Sequence, residues 1–242
     1  MSDRWVNDHR RDSWRRQAKS SGYRARSAFK LKQIQDRFVV IREGDVVLDV
    51  GCHPGGWSQV AVELVGEGGA VIGVDLQPCI PVDGAKLLVG DITDPASQKS
   101  VLEELDGRAI NSVVSDISPD ITGNWDIDQN VAMTLVASVC DFSLPLLCRG
   151  GSFVAKLFQG IGVEELIECL RPHFSKVRRF SPTASRNSSS EVYLVCKHYL
   201  RKSKKPESIR ESFEKALDAK RGYGAEDEHE TAPVSFRVIK RE

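Results

Sequence analysis

The sequence predicts an α/β fold of the Rossmann-like kind, a mostly parallel sheet with helices on both faces. Three observations support this prediction. Short apolar runs alternate with segments of helical periodicity along residues 45–196, which is the pattern of strand–helix–strand units. A glycine-rich loop directly follows the first apolar run. The 242 residues, 40% of them hydrophobic and 28% charged, suit one domain with a normal core.

The predicted elements follow each other along a sheet domain of residues 43–200. Before this domain, residues 1–42 form an arm in which a short amphipathic helix begins at Ser27. Strands are predicted where runs are short and rich in β-branched residues, namely at 45–50, 70–75, 85–91, 110–116, 151–158, 176–180 and 191–196. Helices are predicted where apolar residues recur at helical spacing, namely at 58–65, 95–105, 128–147 and 163–172.

The N-terminal arm, residues 1–42, carries an excess of positive charge. Twelve Lys and Arg side chains stand against four Asp in this arm, although the whole chain has a net charge of +0. Because RNA affinity depends largely on neutralising phosphates, the arm predicts an RNA docking surface. A solvated basic helix without a ligand is the alternative. The predicted phosphate contacts are Arg10, Arg11, Arg15, Arg16, Arg24 and Arg26.

The remaining composition indicates a cytoplasmic protein. The six cysteines show no C-x-x-C pair and no zinc spacing, so we interpret them as buried free thiols and predict no metal site. No apolar run reaches the roughly 18 residues that a membrane span needs, and the N-terminus is too charged for a secretory signal. Residues 201–242 are strongly charged and predict a weakly packed tail, although 209–219 has helical character.

Glycines and acidic side chains end the predicted strands, where open α/β sheets bind their ligands. Gly51, Gly55 and Gly56 follow the first strand, and the helix after them has an electropositive N-terminus, so a nucleotide-like cofactor fits there. Asp75 ends the second strand, where a carboxylate can bind both hydroxyls of a ribose, and Asp91 follows the third, positioned for an adenine amino group. Each aspartate alone is more typical of a helix cap. The loop lacks G-x-G-x-x-G and G-x-x-x-x-G-K, which disfavours NAD and ATP.

Six motifs occur in order along the chain: Leu48-Asp-Val-Gly-Cys-His-Pro-Gly-Gly-Trp-Ser-Gln, Gly73-Val-Asp-Leu-Gln-Pro, Gly90-Asp-Ile-Thr-Asp, Val114-Ser-Asp-Ile-Ser-Pro-Asp-Ile-Thr-Gly, Gly150-Gly-Ser-Phe-Val-Ala-Lys-Leu-Phe-Gln-Gly and Ser185-Arg-Asn-Ser-Ser-Ser-Glu-Val-Tyr. Over residues 20–198 the sequence thereby resembles the FtsJ/RlmE family of RNA 2′-O-methyltransferases. The resemblance implies a seven-stranded sheet with one antiparallel strand, S-adenosylmethionine as methyl donor, and a uridine ribose of large-subunit rRNA as acceptor, within the ribosomal particle. It implies cofactor contacts at Gly55, Trp57, Asp75, Asp91 and Asp116.

The resemblance also implies a catalytic tetrad of Lys30, Asp116, Lys156 and Glu191. A ribose hydroxyl is a poor nucleophile at neutral pH, whereas a sulfonium methyl group is already activated. The enzyme therefore mainly positions the hydroxyl and assists the loss of its proton. Lys156 is the candidate for this task, because it interrupts an apolar strand in which a lysine without a partner is costly. Two roles stay open for Lys156, general base and electrostatic stabiliser of the developing alkoxide.

Two positions depart from the family pattern. His53 stands where small residues are usual, and we interpret it as an ordinary loop histidine rather than a neighbour of the cofactor. Asp120 stands where Asn is common, which bears on the RNA contacts of the acceptor pocket.

Three other functions compete with the leading one. A tRNA anticodon-loop 2′-O-methyltransferase shares the motifs, and nothing in the sequence separates it decisively. A non-catalytic RNA-binding assembly factor is disfavoured by the intact tetrad. An NAD-dependent oxidoreductase is disfavoured by the glycine loop. The protein is expected to be a monomer.

Overall fold

The computed structural model describes residues 13–119, 123, 125–185, 190–201 and 207–221. Its helices are α1 (Ser13–Ser20), α2 (Ala28–Phe38), α3 (Gly56–Val65), α4 (Pro95–Leu105), α5 (Trp125–Ser143), α6 (Val163–Leu170) and α7 (Ile209–Arg221). Its strands are β1 (Val46–Val50), β2 (Ala70–Asp75), β3 (Ala85–Val89), β4 (Ile110–Ser115), β5 (Leu147–Phe158), β6 (Phe174–Phe180) and β7 (Glu191–Tyr199).

The seven strands form one sheet in the order β3-β2-β1-β4-β5-β7-β6. Strands β1 to β5 pair in parallel, whereas β7 is antiparallel to both β5 and β6. This topology confirms the predicted Rossmann-like sheet with one antiparallel strand. The strand order reverses between β1 and β4, so a ligand site is expected beyond the carboxyl ends of these two strands.

Helices cover both faces of the sheet and bury two apolar clusters. On one face, α4 to α7 contribute side chains such as Phe213 to a cluster that includes Val113 of β4. On the other face, α1 to α3 contribute Leu31 and Trp57 to a cluster that includes Val114. Val113 and Val114 are neighbours in sequence but belong to opposite clusters, because successive side chains of a strand point to opposite faces.

The N-terminal arm is partly built into this second cluster. Helix α1 is not among the predicted elements, yet it packs on α2, with Ala18 buried and the rings of Trp14 and Phe29 5.3 Å apart. Trp14 and Ala18 are four residues apart, a helical interval that the surrounding arginines obscure. Arg10 and Arg11 lie outside the described residues.

The prediction of a weakly packed tail is wrong for residues 207–221. Helix α7 buries Ile209, Phe213 and Leu217, which recur every four residues and face α5 and α6. The carboxylate of Asp141 accepts hydrogen bonds from the Ile209 amide and the Ser208 hydroxyl at the start of the helix. Charged residues on the other faces of α7 hide its apolar stripe in the composition.

The largest boundary difference lies between α5 and β5. The helix predicted over 128–147 ends at Ser143, because Pro145 cannot continue a helix and restricts the residue before it. Strand β5 then begins at Leu147 rather than at residue 151 and passes through Gly150. The other elements agree with the prediction within a few residues, and α4 and β2 agree in both bounds.

The cysteines and the helices bear on two further predictions. All six cysteines are free thiols, as predicted, but Cys79, Cys148 and Cys169 are only partly buried. Among the helices of the described ranges, none has the length and apolar character to span a membrane.

Candidate active site

A cavity of about 290 Å³ opens at the carboxyl ends of the parallel strands. Loops after β1, β2, β3 and β4 form its walls, which is the position that the fold predicts for a ligand. Three of the five predicted cofactor residues line it, namely Asp75, Asp91 and Asp116. The apolar side chains of Ile92, Ile117 and Leu135 add to the lining, together with Val50 and Val74.

Backbone and side-chain donors orient two of these carboxylates. Asp75 accepts the His53 amide at 2.9 Å and the Gln77 amide at 2.8 Å, one bond on each oxygen. Asp91 accepts both the amide and the hydroxyl of Thr93 at Oδ1. Since a carboxylate offers about four lone-pair sites, both groups keep capacity for a ligand that donates hydrogen bonds.

The loop after β1 needs a glycine at position 51. Gly51 has a φ of +79°, and a Cβ atom there would lie 2.7 Å from the Cα atom of Ile117. Its amide donates to the Val74 carbonyl. The glycine therefore lets the β1 loop approach both the β4 loop and β2, where the cavity walls meet.

Gly55 and Trp57 lie outside the walls of this cavity, at the start of α3. Gly55 precedes the helix with a φ of +107°. The Trp57 side chain is buried, its indole N–H donates to the Ser27 carbonyl at 2.8 Å, and its ring packs 5.6 Å from that of Tyr193. The indole thus joins α2 to the sheet.

Two findings bear on the interpretation of the loop residues. His53 lines the cavity rather than lying away from it, and its Nδ1 lies 4.0 Å from the Cys79 sulfur. Arg24, predicted to contact phosphate, donates to the carbonyl oxygens of Pro54, Ile80 and Pro81. Asp120 lies outside the described residues.

The predicted tetrad forms two ion pairs, in which the lysines are buried and the carboxylates are partly buried. Lys156 Nζ lies 3.4 Å from Asp116 Oδ1 and donates to the Asp116 carbonyl oxygen at 2.8 Å. Lys30 Nζ lies 2.7 Å from Glu191 Oε2. The two lysines are only 7% and 5% exposed, respectively. A buried lysine without a partner is costly, so each amine is held by a carboxylate in a site that is largely shielded from water.

Tyr193, which the sequence analysis missed, connects the two pairs. Its hydroxyl donates to Asp116 Oδ1 at 2.6 Å, and Lys30 Nζ lies 5.6 Å from the centre of its ring. Tyr193 is the Cα partner of Lys156 between β7 and β5, and Glu191 lies two residues before it on the same strand. Because side chains two residues apart share one face of a strand, the period of β7 was a signal for this residue.

Asp49 is a second residue whose place the sequence did not show. It is fully buried in β1, with Oδ2 accepting the Ser58 hydroxyl at 2.7 Å and Oδ1 without a hydrogen-bond partner among the described residues. Burial raises the pKa of Asp49 to about 7; the Ser58 hydrogen bond opposes this rise, and the charges of Asp116 and Asp75 add to it. Its signal in the sequence is an acidic residue inside an apolar strand.

Comparisons with known proteins agree with this geometry. Residues 23–199 match the family described as FtsJ-like methyltransferase. The chain is 41% identical over 198 residues to the ribosomal RNA large subunit methyltransferase E of Alkalilimnicola ehrlichii, covering 82% of this chain and 95% of the relative. The protein of the same name in Methanocaldococcus jannaschii is 41% identical over 200 residues, covering 81% of this chain and 82% of the relative.

A solved structure shows the same architecture. The crystal structure of a ribosomal RNA methyltransferase from Plasmodium falciparum superposes with a TM-score of 0.67 at 26% identity, covering 74% of this chain and 99% of that one. The family match spans most of the chain, and the fold and motif order agree with it. The chain therefore belongs to the FtsJ-like methyltransferase family.

Proposed function

We propose that this protein transfers a methyl group from S-adenosylmethionine to the 2′-hydroxyl of a uridine ribose in large-subunit rRNA. The names of the relatives in Alkalilimnicola ehrlichii and Methanocaldococcus jannaschii support this acceptor. The observation that carries the proposal is that Asp116 both lines the cavity and pairs with Lys156. Methyl transfer needs the donor and the acceptor in line at contact distance. Because Asp116 belongs to both, the cavity proposed for the donor lies beside the lysine pairs proposed to act on the acceptor.

The residues of the cavity fit S-adenosylmethionine. The remaining acceptor capacity of Asp75 suits two ribose hydroxyls, and that of Asp91 suits an adenine amino group. Ile92 and Ile117 offer apolar contact to the base, and Asp116 contributes negative charge toward the cationic part of the cofactor. Gly55 and Trp57 remain predicted contacts at the first turn of α3. When bound, the cofactor supplies a methyl group activated by its sulfonium.

The two lysines have different roles toward the acceptor hydroxyl. We assign to Lys156, acting as the neutral amine, the removal of the hydroxyl proton as the oxygen attacks, with Asp116 and its carbonyl oxygen holding the amine in place. Lys30, fixed by Glu191 and by the ring of Tyr193, supplies a positive charge that stabilises the developing alkoxide.

Transfer of radiolabelled methyl groups to hypomethylated large ribosomal subunits tests the function. We expect label in rRNA ribose with the wild type and with Lys86→Ala, an exposed lysine on the far strand β3, and none with Lys156→Ala. Label confined to unmodified tRNA would move the acceptor to tRNA. Cofactor binding without transfer to either RNA would contradict the enzyme assignment and favour an RNA-binding assembly factor.

The variant Lys156→Arg separates the two roles of Lys156. A guanidinium keeps a positive charge but does not accept a proton in proteins. If Lys156 is the base, Lys156→Arg loses transfer as fully as Lys156→Ala while it still binds the cofactor. Substantial activity in Lys156→Arg would instead show that Lys156 acts by its charge.

We also propose that the enzyme works as a monomer in the cytoplasm. The six free thiols support a reducing compartment, since disulfides form mainly in oxidising ones. Sedimentation at several protein concentrations tests the monomer, and fractionation of cells tests the location.

A further inference from the structure

The outer edge strand β6 exposes a row of positive charge. Lys176 and Arg178 are exposed and share one face of the strand with Phe180, because they lie two residues apart. Arg37 of α2 lies 5.8 Å from the centre of the Phe180 ring. The row therefore runs along the α2 side of the sheet, with consecutive strand positions roughly 7 Å apart.

Two further cations lie beside this row. Lys197 of β7 is the Cα partner of Lys176, is 8% exposed, and donates to the Val39 carbonyl at 2.5 Å. Burial lowers the pKa of Lys197, the charges of Arg42 and Lys176 lower it further, and Asp45 partly opposes them. Lys197, Arg42 and Lys176 are thus close enough to repel one another.

These cations form no ion pairs in the described part of the chain, although the Asp45 carboxylate lies near Arg42 and Lys197. Among the described residues, no carboxylate lies within ion-pair distance of any member of the group. Arg179 provides a contrast on the opposite face of the same strand, where it pairs with Glu164 at 2.6 Å. Clustered like charges without partners favour a polyanion, which relieves their repulsion. We call this group the β6 cationic face: Arg37, Arg42, Lys176, Arg178 and Lys197.

The β6 cationic face leads toward the candidate active site. β6 runs in the same direction as β5, since both are antiparallel to β7. At its carboxyl end, Phe180 is the Cα partner of Tyr193, whose hydroxyl binds Asp116. A chain bound along β6 would therefore reach the edge of the sheet where the two ion pairs lie.

We propose that the β6 cationic face binds the phosphate backbone of the RNA substrate, separately from the N-terminal arm. This inference rests on the proposed function and adds a second docking surface to it. Such contacts position RNA without reading its sequence. The Arg37 guanidinium lies 5.8 Å from the ring centres of both Phe38 and Phe180, and such cation–π contacts reduce the ordering cost of binding. An acidic ribosomal protein is the other polyanionic partner, and the test below separates it from RNA.

The test compares two triple variants with equal charge loss. The first, Arg42→Gln/Lys176→Gln/Arg178→Gln, removes three exposed members of the face. The control, Lys86→Gln/Lys99→Gln/Lys215→Gln, removes three exposed lysines on β3, α4 and α7. Affinity for a naked large-subunit rRNA fragment is measured at increasing KCl concentration, and cofactor affinity is measured in parallel to verify folding.

We expect the first variant to bind the rRNA fragment more weakly and with a smaller salt dependence than the wild type, whereas the control should match the wild type in both. Three lost phosphate contacts lower the slope of log K against log salt by about 2 and the affinity at low salt by roughly 10- to 100-fold. An unchanged slope, or a wild type that does not bind the fragment, would overturn the inference. So would normal binding to naked rRNA with weakened binding to whole subunits, because the face would then contact a ribosomal protein. Binding requires no turnover, so methyl transfer by the wild type tests the proposed function independently.

Discussion

The variant Tyr193→Phe removes one hydroxyl from the candidate active site and leaves the ring in place. In the wild type this hydroxyl donates to Asp116 Oδ1 at 2.6 Å. The ring packing against Trp57 and the position of Lys30 over the ring depend on the aromatic face, which phenylalanine retains. The variant therefore isolates one hydrogen bond to the carboxylate that pairs with Lys156.

The size of the effect follows from the charge of the acceptor. A hydrogen bond to a charged group contributes about 1.5–3 kcal/mol. If the lost orientation of Asp116 and Lys156 is felt fully in the transition state, kcat falls roughly 10- to 150-fold. Burial, with the carboxylates of Asp116 and Glu191 nearby, raises the pKa of Tyr193 well above its ordinary value. The hydroxyl thus stays a donor, and the loss should be constant from about pH 6 to about pH 9.

Steady-state methyl transfer to rRNA measures this effect, with cofactor affinity determined separately. Tyr199→Phe is the matched control, because Tyr199 is also buried on β7 but packs against Phe174 at the other end of the strand. We expect kcat to fall in Tyr193→Phe while KM for RNA changes little, and we expect no change in Tyr199→Phe. A kcat within twofold of the wild type would refute the positioning role of Tyr193.

Three further predictions concern the fold and the cavity. The pKa of Asp49 is raised to about 7, so the native state keeps a proton that the unfolded chain releases above about pH 4. Between about pH 4 and about pH 7, the wild type should therefore lose stability relative to Asp49→Asn as the pH rises, by up to about 4 kcal/mol. Urea unfolding at both ends of the window measures the difference, and parallel curves would contradict the buried proton. Phe213→Ala should lower the free energy of unfolding by about 3–5 kcal/mol, against about 0.5 kcal/mol or less for the exposed Lys215→Ala; equal midpoints would show that α7 does not stabilise the fold. Arg24→Ala should weaken cofactor binding by about tenfold or more in calorimetry, because Arg24 ties the loops beside the cavity. A lower salt slope for RNA with unchanged cofactor affinity would instead restore the predicted phosphate contact.

The fold class was legible because its signals are local. Strands β1, β2 and β4 are short apolar runs. Helix α4 carries its own start signal, in which the Asp94 carboxylate accepts the Ser97 amide and Pro95 begins the helix. Helix α7 was underestimated for the opposite reason. Its apolar stripe is stable only against α5 and α6, and those contacts are formed by residues distant in sequence.

In the candidate site, too, some residues could be predicted from local signals and others depend on contacts between distant residues. Asp75 and Asp91 could be predicted from the sequence alone, because parallel strands bring their carboxyl ends to one edge whatever else they contact. The resemblance to a known family supplied Lys30 and Glu191, which lie 161 residues apart in sequence but form one ion pair. No local pattern predicts such a contact.

Partners and electrostatics were decided by the tertiary structure. Two adjacent arginines of β6 differ entirely in environment, since Arg179 pairs with Glu164 on one face while Arg178 belongs to the β6 cationic face. In the same way, the structure shows that Arg24 donates to carbonyl oxygens of the loops beside the cavity. The sequence determined which side chains exist and which face of a strand or helix they occupy. Segments distant in sequence decide whether a charged side chain forms an ion pair, faces solvent or is buried, so only the tertiary structure determined these environments.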